Sequence, residues 1–582
     1  MHNHFCKHPL WEVTQTLAAV AQGRQPADTV IRGGTLVNVC TAEFQENIDI
    51  AIAEGRIALV GDATACIGPD TEIIDASGLY MSPGFLDGHI HIESSMLSVG
   101  EYAKAVVPHG TVGIYPDPHE ICNVLGLDGV RCMIDDAKRT PLKCMFVTPS
   151  CVPAVPGFED TGSFVGPEDV ARTMQWDEIV GLGEMMNFPG ILASDDHAHG
   201  IVDATLAADK VVTGHYSLPE TGAGLNAYAA SGIRCCHEST RPEDVIAKMR
   251  LGMYAQLRMG SAWQDLPVIA KALTETGIGG RFACLVSDDT HPNTLVRHGH
   301  MDYILRVAVE NGIDPITAIR MATINTAQCY RMDQDLGAIA PGKCADIVLL
   351  KDLEHFDVVR TIIDGETVAI DGKMTRELAP YTYPDWARES VHLKDAVTAD
   401  TFKIAAPENR DRVTIRAIEV IPARVGDIER FVELAVAGGH LESDIQQDVL
   451  KTVGLTGYNT GDYYDGETWR SFNEIYDPLY AEMAPQYNQP LMITEFACSS
   501  YGGDKAAWVE DMFTQLENYP RIKAAIWWDS ADKDTANNIA RPYYIDNDKA
   551  ALEIFKDHLA QSDYKENPRE RTAVLLRPFD LY

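Results

Sequence analysis

The sequence predicts an α/β protein, a parallel (β/α) barrel or a doubly wound sheet, set between the two halves of a small β domain. Three observations carry this. Between Gly84 and Gln328 short β-rich apolar runs alternate with stretches of helical spacing. Blocks of β runs without helical periodicity lie on both sides of that stretch. Histidines and carboxylates recur where the apolar runs end, and in barrels the loops after strands are where sites are built.

Residues 1 to about 25 read as an amphipathic helix with Leu10, Val13, Leu17 and Val20 on one face, and 1–27 is assigned to it. From Thr29 to Ile74 the runs TVIRGGTLVNV, IDIAIAEGRIALVG and EIIDA are separated by Gly and Asp turns. A matching block, CADIVLLKD and VVRTIIDGETVAIDGK, spans Cys344 to Lys373. Residues 28–80 and 338–398 are therefore expected to form one small β-sandwich domain, with 81–337 inserted between its halves. Inside the insert, GTVGIYP, KCMFVTPS, EIVGLGE, KVVTGHY, GIRCCHE and FACLVSDD read as strands. RPEDVIAKMRLG and DPITAIRMATINTAQ read as capped helices. Beyond Pro380, DRVTIRAIEVIPARVGD reads as β, and from Gly454 the chain turns rich in Tyr and Trp, giving an α/β C-terminal segment.

Composition removes several classes. The 582 residues carry a formal net charge of −37, which would repel phosphates, so neither nucleic acid nor an anionic membrane is expected as a partner. No run of about 18 apolar residues suggests a membrane span. The opening MHNHFCKHPLWEV has no apolar signal core, so export through a standard signal is not expected. The 13 Cys residues follow no secreted-scaffold spacing, and Cys235 and Cys236 are neighbours, which reads as a reduced, cytoplasmic set.

The chemistry centres on GFLDGHIHIESS. His89 and His91 flank one residue at a strand end, so both point to one side, and two imidazoles at that spacing can share a metal. Further candidates follow in order, each closing a run: Glu184 in EIVGLGE, His215 in KVVTGH, His237 in GIRCCH and Asp288 in FACLVSD. Five strand ends thus offer four imidazoles and two carboxylates. His119 and Glu120, in PDPHE, either polarise a substrate or an additional metal, or belong to a turn fixed by Pro116 and Pro118. Glu93 either orients an imidazole from behind or is a solvated polar group, and His291 in DDTHP has the same two readings. His197 and His199, in SDDHAHG, are placed in a solvated loop. Imidazole and carboxylate donors suit Mn, Fe or Zn.

GFLDGHIHIESS, PDPHE, GEMMN, CHEST and SDDTHP, in this order, resemble the adenine deaminases of the amidohydrolase superfamily. The likeness runs from about Asp28 to Leu450 and includes IRAIEVIP. GAIAPGKCADIVLL resembles the return to the small domain seen in many amidohydrolases. The resemblance implies a (β/α)8 TIM-like metallo-hydrolase barrel, and 399–453 as part of the family's C-terminal domain. It implies hydrolysis of adenine to hypoxanthine and ammonia in purine salvage, by a cytoplasmic homo-oligomer with a binuclear Mn²⁺ or Fe²⁺ centre, Zn²⁺ being the alternative. By the same resemblance His89 and His91 hold the more buried metal and His215 and His237 the second. Glu184 bridges the two, and Asp288 ligates and moves protons. The catalytic set is then Asp288, Glu184 and His119, with Asp289 a second candidate for the proton relay.

The tail from Gly454 resembles something else, the last strands of retaining β-mannanase-type glycoside hydrolases. LMITEF puts Glu495 where that family keeps its nucleophile, and Tyr458 and Trp527 match sugar-stacking or orienting positions. A retaining glycosidase needs a second carboxylate on an earlier strand. None is found, and a few strands cannot close a barrel. Residues 454–582 therefore read as a fragment with a vestigial Glu495. Two other functions compete with the deaminase: hydrolysis of another cyclic amidine or amide, and an inactive metal-binding scaffold with a carbohydrate-binding tail.

Overall fold

The computed structural model describes residues 5–154, 161–261, 263–388, 403–407, 410–419 and 428–450, Tyr519, and the backbone of the helices and strands between 491 and 576. The chain divides into two compact units, 1–390 with 420–427, and 391–419 with 428–582.

In the first unit the helix Leu10–Ala21 starts directly after Pro9, whose fixed φ suits a helix entrance. Val13, Leu17 and Val20 are buried, against a cluster with Ala27, Val30 and Ala51, while Leu10 remains at the surface. The two β blocks of the sequence join in one nine-stranded sheet. Tyr80–Pro83 is the hinge strand: it pairs in parallel with Thr29–Asn38 and antiparallel with Ile347–Leu350. Chain from before and after the insert thus meets edge to edge, around a core of Ile31, Ile50, Ile52, Ile347 and Ile362.

The insert alternates strand and helix, and its strand pairings are all parallel. Phe85–His91 pairs with Thr111–Pro116, and that strand pairs with Lys143–Cys144. Phe146–Thr148 pairs with Ile179–Met185, which pairs with Val211–Gly214. A parallel bridge from Val212 to Ile233 leads to Cys235–Cys236, then Tyr254–Arg258, then Ala283–Val286. Finally Asp288 and Asp289 pair with Ile90 and His91, so the last strand returns to the first. Every residue of Phe85–His91, Thr111–Pro116 and Tyr254–Arg258 is buried, as expected of parallel strands covered on both faces.

Three expectations change. His197 and His199 lie on the first turns of the helix Asp196–Ala207, capped by Asp195, and not in a loop. Strand Tyr254–Arg258 was not among the expected strands. The fully reduced cysteine set is corrected at one pair: Cys6 and Cys344 form a disulfide with their Cα atoms 6.3 Å apart, while the other described cysteines are free.

In the second unit Arg412–Glu419 pairs antiparallel with Ile428–Ala437 over a small core of Val432, Leu434 and Val449. Further on, Leu491–Phe496 and Ile522–Trp527 run parallel with the helix Lys505–Leu516 between them, a strand–helix–strand unit of α/β type. Tyr458 lies outside the described residues, and the side chains of Glu495 and Trp527 lie outside them too.

Candidate metal centre

The six residues expected to hold metal converge. His89 and His91 occupy alternate positions of Phe85–His91, so their rings project together, with Nε2 atoms 3.1 Å apart. Glu184 is the penultimate residue of Ile179–Met185. His215 directly follows Val211–Gly214, and His237 directly follows Cys235–Cys236. Asp288 sits with φ +59° after Ala283–Val286, a left-handed backbone that costs an Asp about 1–3 kcal/mol and turns its carboxylate inward.

Glu184 is the hub. Its Oε1 lies 3.4 Å from His91 Nε2 and 3.2 Å from His119 Nδ1. Its Oε2 contacts His215 Nδ1 and lies 3.1 Å from His237 Nε2. Asp288 Oδ1 stands 3.3 Å from His91 Nε2 and 3.6 Å from His89 Nε2. The rings of His89 and His237 stack 3.9 Å apart, which joins the two halves of the set.

The strand ends are tied from behind. Tyr228 donates to the Met185 carbonyl at 2.7 Å and accepts from the His215 amide at 2.9 Å, which links the ends that carry Glu184 and His215. Buried Asp87 accepts from the amides of His89 and Ser287, at 3.3 and 3.0 Å, and so fastens the first and last strands together. His300 lies 3.1 Å from the same Asp87 carboxylate, with Thr111 Oγ1 2.8 Å from its other ring nitrogen. Asp117 Oδ2 accepts from the Glu184 amide at 2.7 Å. Only glycine fits at 183, because a Cβ there would come 2.3 Å from that carboxylate.

Sequence reasoning missed a second layer. Arg258, 1% exposed, donates to Asp288 Oδ2 and to Asp265 Oδ2, both at 2.8 Å, and to Glu238 Oε1. Glu238 Oε1 in turn lies 3.6 Å from His215 Nε2 and 3.5 Å from His237 Nε2. Glu238 and Asp117 stood inside the motifs CHEST and PDPHE. Arg258 gave no signal, because its strand shows no apolar alternation and an isolated arginine reads as a surface residue.

The remaining candidates separate. His119 and Glu120 open the helix His119–Ala137 and face the cluster, with Glu120 3.6 Å from His91. Glu93 accepts from the Ile121 amide at 3.3 Å, behind Glu120. Asp289 turns away from Asp288 and takes the Ser94 hydroxyl. His291 is exposed and caps the helix Pro292–His298, its amide donating to Ser261 Oγ at 2.8 Å, away from the converging donors.

Burial works against charge on all these groups, and their neighbours decide the outcome. Burial, with His237 and His91 alongside, holds His89 well below the usual histidine range. Against its burial, Glu120 and Asp288 carry His91 well above that range. Glu184 remains well below the ordinary carboxylate value despite burial, because His215, His119 and His237 surround it. Asp288 is held low against its burial by His91, His237 and His89. Burial pushes Glu93 up to about 8 and Asp117 up to about 6. Burial and His91 oppose charge on His119, but Glu184 and Glu120 prevail and raise it to about 9.

The donor set fits a pair of divalent cations. Ligand atoms of His89, His91 and Asp288 lie within 4.8 Å of one another, as do those of His89, Glu184 and His237. Imidazole nitrogen and carboxylate oxygen are the donors such ions take, and Glu184 with one oxygen toward each half can serve both. Parallel strands with this cluster at their ends can hold divalent metal, and the amidohydrolase family model matches residues 80–368.

The chain is 64% identical over 453 residues to an adenine deaminase of Clostridium botulinum (strain 657 / Type Ba4), covering 78% of this chain and 76% of that protein. It is 53% identical over 445 residues to an adenine deaminase of Moorella thermoacetica, covering 76% and 74%. An adenine deaminase of Rubrobacter xylanophilus is 45% identical over 459 residues, covering 78% and 76%. The chain belongs to the adenine deaminase family of amidohydrolases and is a hydrolase acting on C–N bonds. The matches lend no support to the glycoside-hydrolase likeness of the tail.

Proposed function

We propose that the protein converts adenine and water to hypoxanthine and ammonia at a binuclear centre held by His89, His91, Glu184, His215, His237 and Asp288. One observation carries the reading: the Glu184 carboxylate lies among His91, His119, His215 and His237, with Asp288 opposite. Two divalent cations held by these donors would supply Lewis-acid chemistry, lowering the pKa of a water toward neutral. Mn²⁺ or Fe²⁺ is our assignment, with Zn²⁺ the alternative the same donors allow.

The protein's own groups do the rest. Arg258 fixes one oxygen of Asp288, and the other faces His89 and His91. That oxygen accepts the proton of the attacking water and passes it to the departing exocyclic nitrogen, which leaves as ammonia. His119, 3.6 Å from Glu120, donates to a ring nitrogen of the purine and draws electrons from the attacked carbon. Asp289, bonded to Ser94, takes a supporting place in our scheme.

The ring of parallel pairings supports a closed (β/α)8 barrel over 81–337, flanked by a small β domain of 28–80 and 338–398. We assign 399–453 to a partial C-terminal domain of the family. The net charge of −37 supports a small-molecule substrate and no nucleic-acid partner. Among the described residues no helix is long and apolar enough to cross a membrane. A homo-oligomer in the cytoplasm is the working assignment. The alternatives, a cyclic-amide hydrolase or an inactive scaffold, are not favoured by relatives at 64% identity. The test is ammonia release from adenine by protein reconstituted with Mn²⁺ or Fe²⁺, beside His89→Ala. Release that vanishes in His89→Ala is expected; a fully loaded protein that releases none would sink the assignment.

A further inference from the structure

We propose that Cys151, His119, Asp117 and Glu184 form a further cation site that shares Glu184 with the binuclear centre, selective for a thiophilic divalent ion such as Zn²⁺ or Cd²⁺, and that filling it inhibits the enzyme. Cys151 follows the strand Phe146–Thr148 by three residues and is 4% exposed. Its Sγ, a ring nitrogen of His119 and a carboxylate oxygen of Glu184 all lie within 4.8 Å of one another. One ion at the usual roughly 2.0–2.3 Å from each donor spans such a triangle.

A second observation points to the same place. Asp117 is fully buried, and its Oδ1 has no hydrogen-bond partner among the described residues. That oxygen lies 4.0 Å from His119 Nδ1, which itself stands 3.2 Å from Glu184 Oε1. A buried polar atom left without a partner is costly, and a cation beside Asp117 Oδ1 removes that cost. Cys151 sulfur, His119 nitrogen and Glu184 oxygen make three of the four ligands a zinc ion takes, with Asp117 Oδ1 beside His119 as the fourth in our proposal. The sulfur separates this site from the binuclear one, whose donors are all nitrogen and oxygen, and disfavours Mn²⁺.

The exchange of protons balances. The Cys151 thiol donates to the Glu184 carbonyl at 3.0 Å. When the ion binds, the Cys151 S–H bond and the Nδ1–H bond of protonated His119 both break, the thiolate and the neutral imidazole ligate, and two protons go to solvent. The carbonyl keeps a partner, because the Ser150 hydroxyl donates to it as well. Inhibition follows from Glu184 Oε1, which faces both His119 and His91. An ion drawing that oxygen toward Cys151 takes it from the pair; this step rests on the bridging role proposed for Glu184.

The experiment uses Mn²⁺-loaded enzyme, with Zn²⁺ as inhibitor and Co²⁺ as optical probe. Wild type is expected to bind a third equivalent, lose activity as it binds, and show a thiolate-to-cobalt charge-transfer band. Cys151→Ser and Cys151→Ala are expected to keep deaminase activity, lose the band and need at least tenfold more Zn²⁺ for half-inhibition. Wild type with no band and no third equivalent overturns the site. Equal inhibition of the variants also overturns it, since Zn²⁺ would then act by displacing the pair. Band and stoichiometry need no turnover, so a protein that shows both yet releases no ammonia keeps this site and loses the deaminase reading instead.

Discussion

The parallel strands bury charge at both of their ends, and the two ends do so in opposite ways. Where they begin, Lys143 Nζ donates to both oxygens of Asp346, at 2.9 and 2.7 Å, and to Asp364 at 2.8 Å. Asp346 Oδ1 also accepts from the Asp364 amide at 2.9 Å. Each of these charged groups faces a charge of opposite sign. Where the strands finish, four imidazoles and two carboxylates converge, and like faces like: two Nε2 atoms at 3.1 Å and two imidazole rings stacked at 3.9 Å. A closed ion cluster fastens the insert to the small sheet. An open cluster, in which like donors face one another, is unfavourable without cations.

The sharpest way to break this comparison is a substitution at the open end that leaves the fold intact. Asp288→Asn keeps the shape and the Arg258 contact but removes the proton acceptor. We expect kcat per folded molecule to fall roughly 10²–10⁴-fold, the range for a lost general base. Steady-state kinetics on protein with a measured metal content decides it; a loss under about threefold would return the relay to Asp289.

At the closed end the effect moves from rate to stability. Lys143→Met leaves Asp346 and Asp364 facing each other without their cation, and removing one partner of a buried pair costs about 3–5 kcal/mol. The denaturant midpoint should drop accordingly, while kcat per folded molecule holds. A variant as stable as the parent would show that water already shields this cluster.

Arg258 lies between the two cases, a closed ion cluster placed directly behind the open one. Arg258→Gln removes the donor shared by Asp288, Glu238 and Asp265, and about a 10–100-fold loss of activity or metal affinity is expected, as for other groups that orient ligands. Arg258→Lys should restore only part of it, because an ammonium cannot reach all three carboxylates from one plane. Full activity in Arg258→Gln would make Glu238 and Asp265 self-sufficient supports.

What the sequence revealed follows the same division. Donors at strand ends were legible because residue type and order carry them: His89 and His91 two apart, then Glu184, His215, His237 and Asp288 each closing an apolar run. The two β blocks were legible for the same reason, since period-two runs bounded by turns have few other meanings. Arg258 was hidden because its strand, Tyr254–Arg258, is buried on both sides and shows no alternation to count. The Cys6–Cys344 contact joins residues 338 positions apart, and local pattern holds no record of such a pairing. His197 and His199 were misplaced because Asp195 was read as loop text, when it is the residue that caps the helix they begin.

The smallest expected effect separates the two ends by pH. In metal-free protein His119 is raised from 6.5 to about 9, so the folded state holds its proton more tightly than the unfolded chain. That stability is complete below about 6.5 and is lost as pH rises through 9. Glu93, raised from 4.5 to about 8, acts in the same direction: between those values the folded state binds more protons, and stability falls with rising pH. Lys143, raised from 10.5, stays charged over this window and contributes no slope. Urea midpoints of metal-free protein between about pH 6.5 and 9 should therefore decline, and His119→Gln with Glu93→Gln should reduce the decline to the part that His91 and His215, also raised, contribute, whereas Lys143→Met should lower the whole curve without changing its slope. A flat parent curve would mean that water, not its protein neighbours, sets the protonation of the open end.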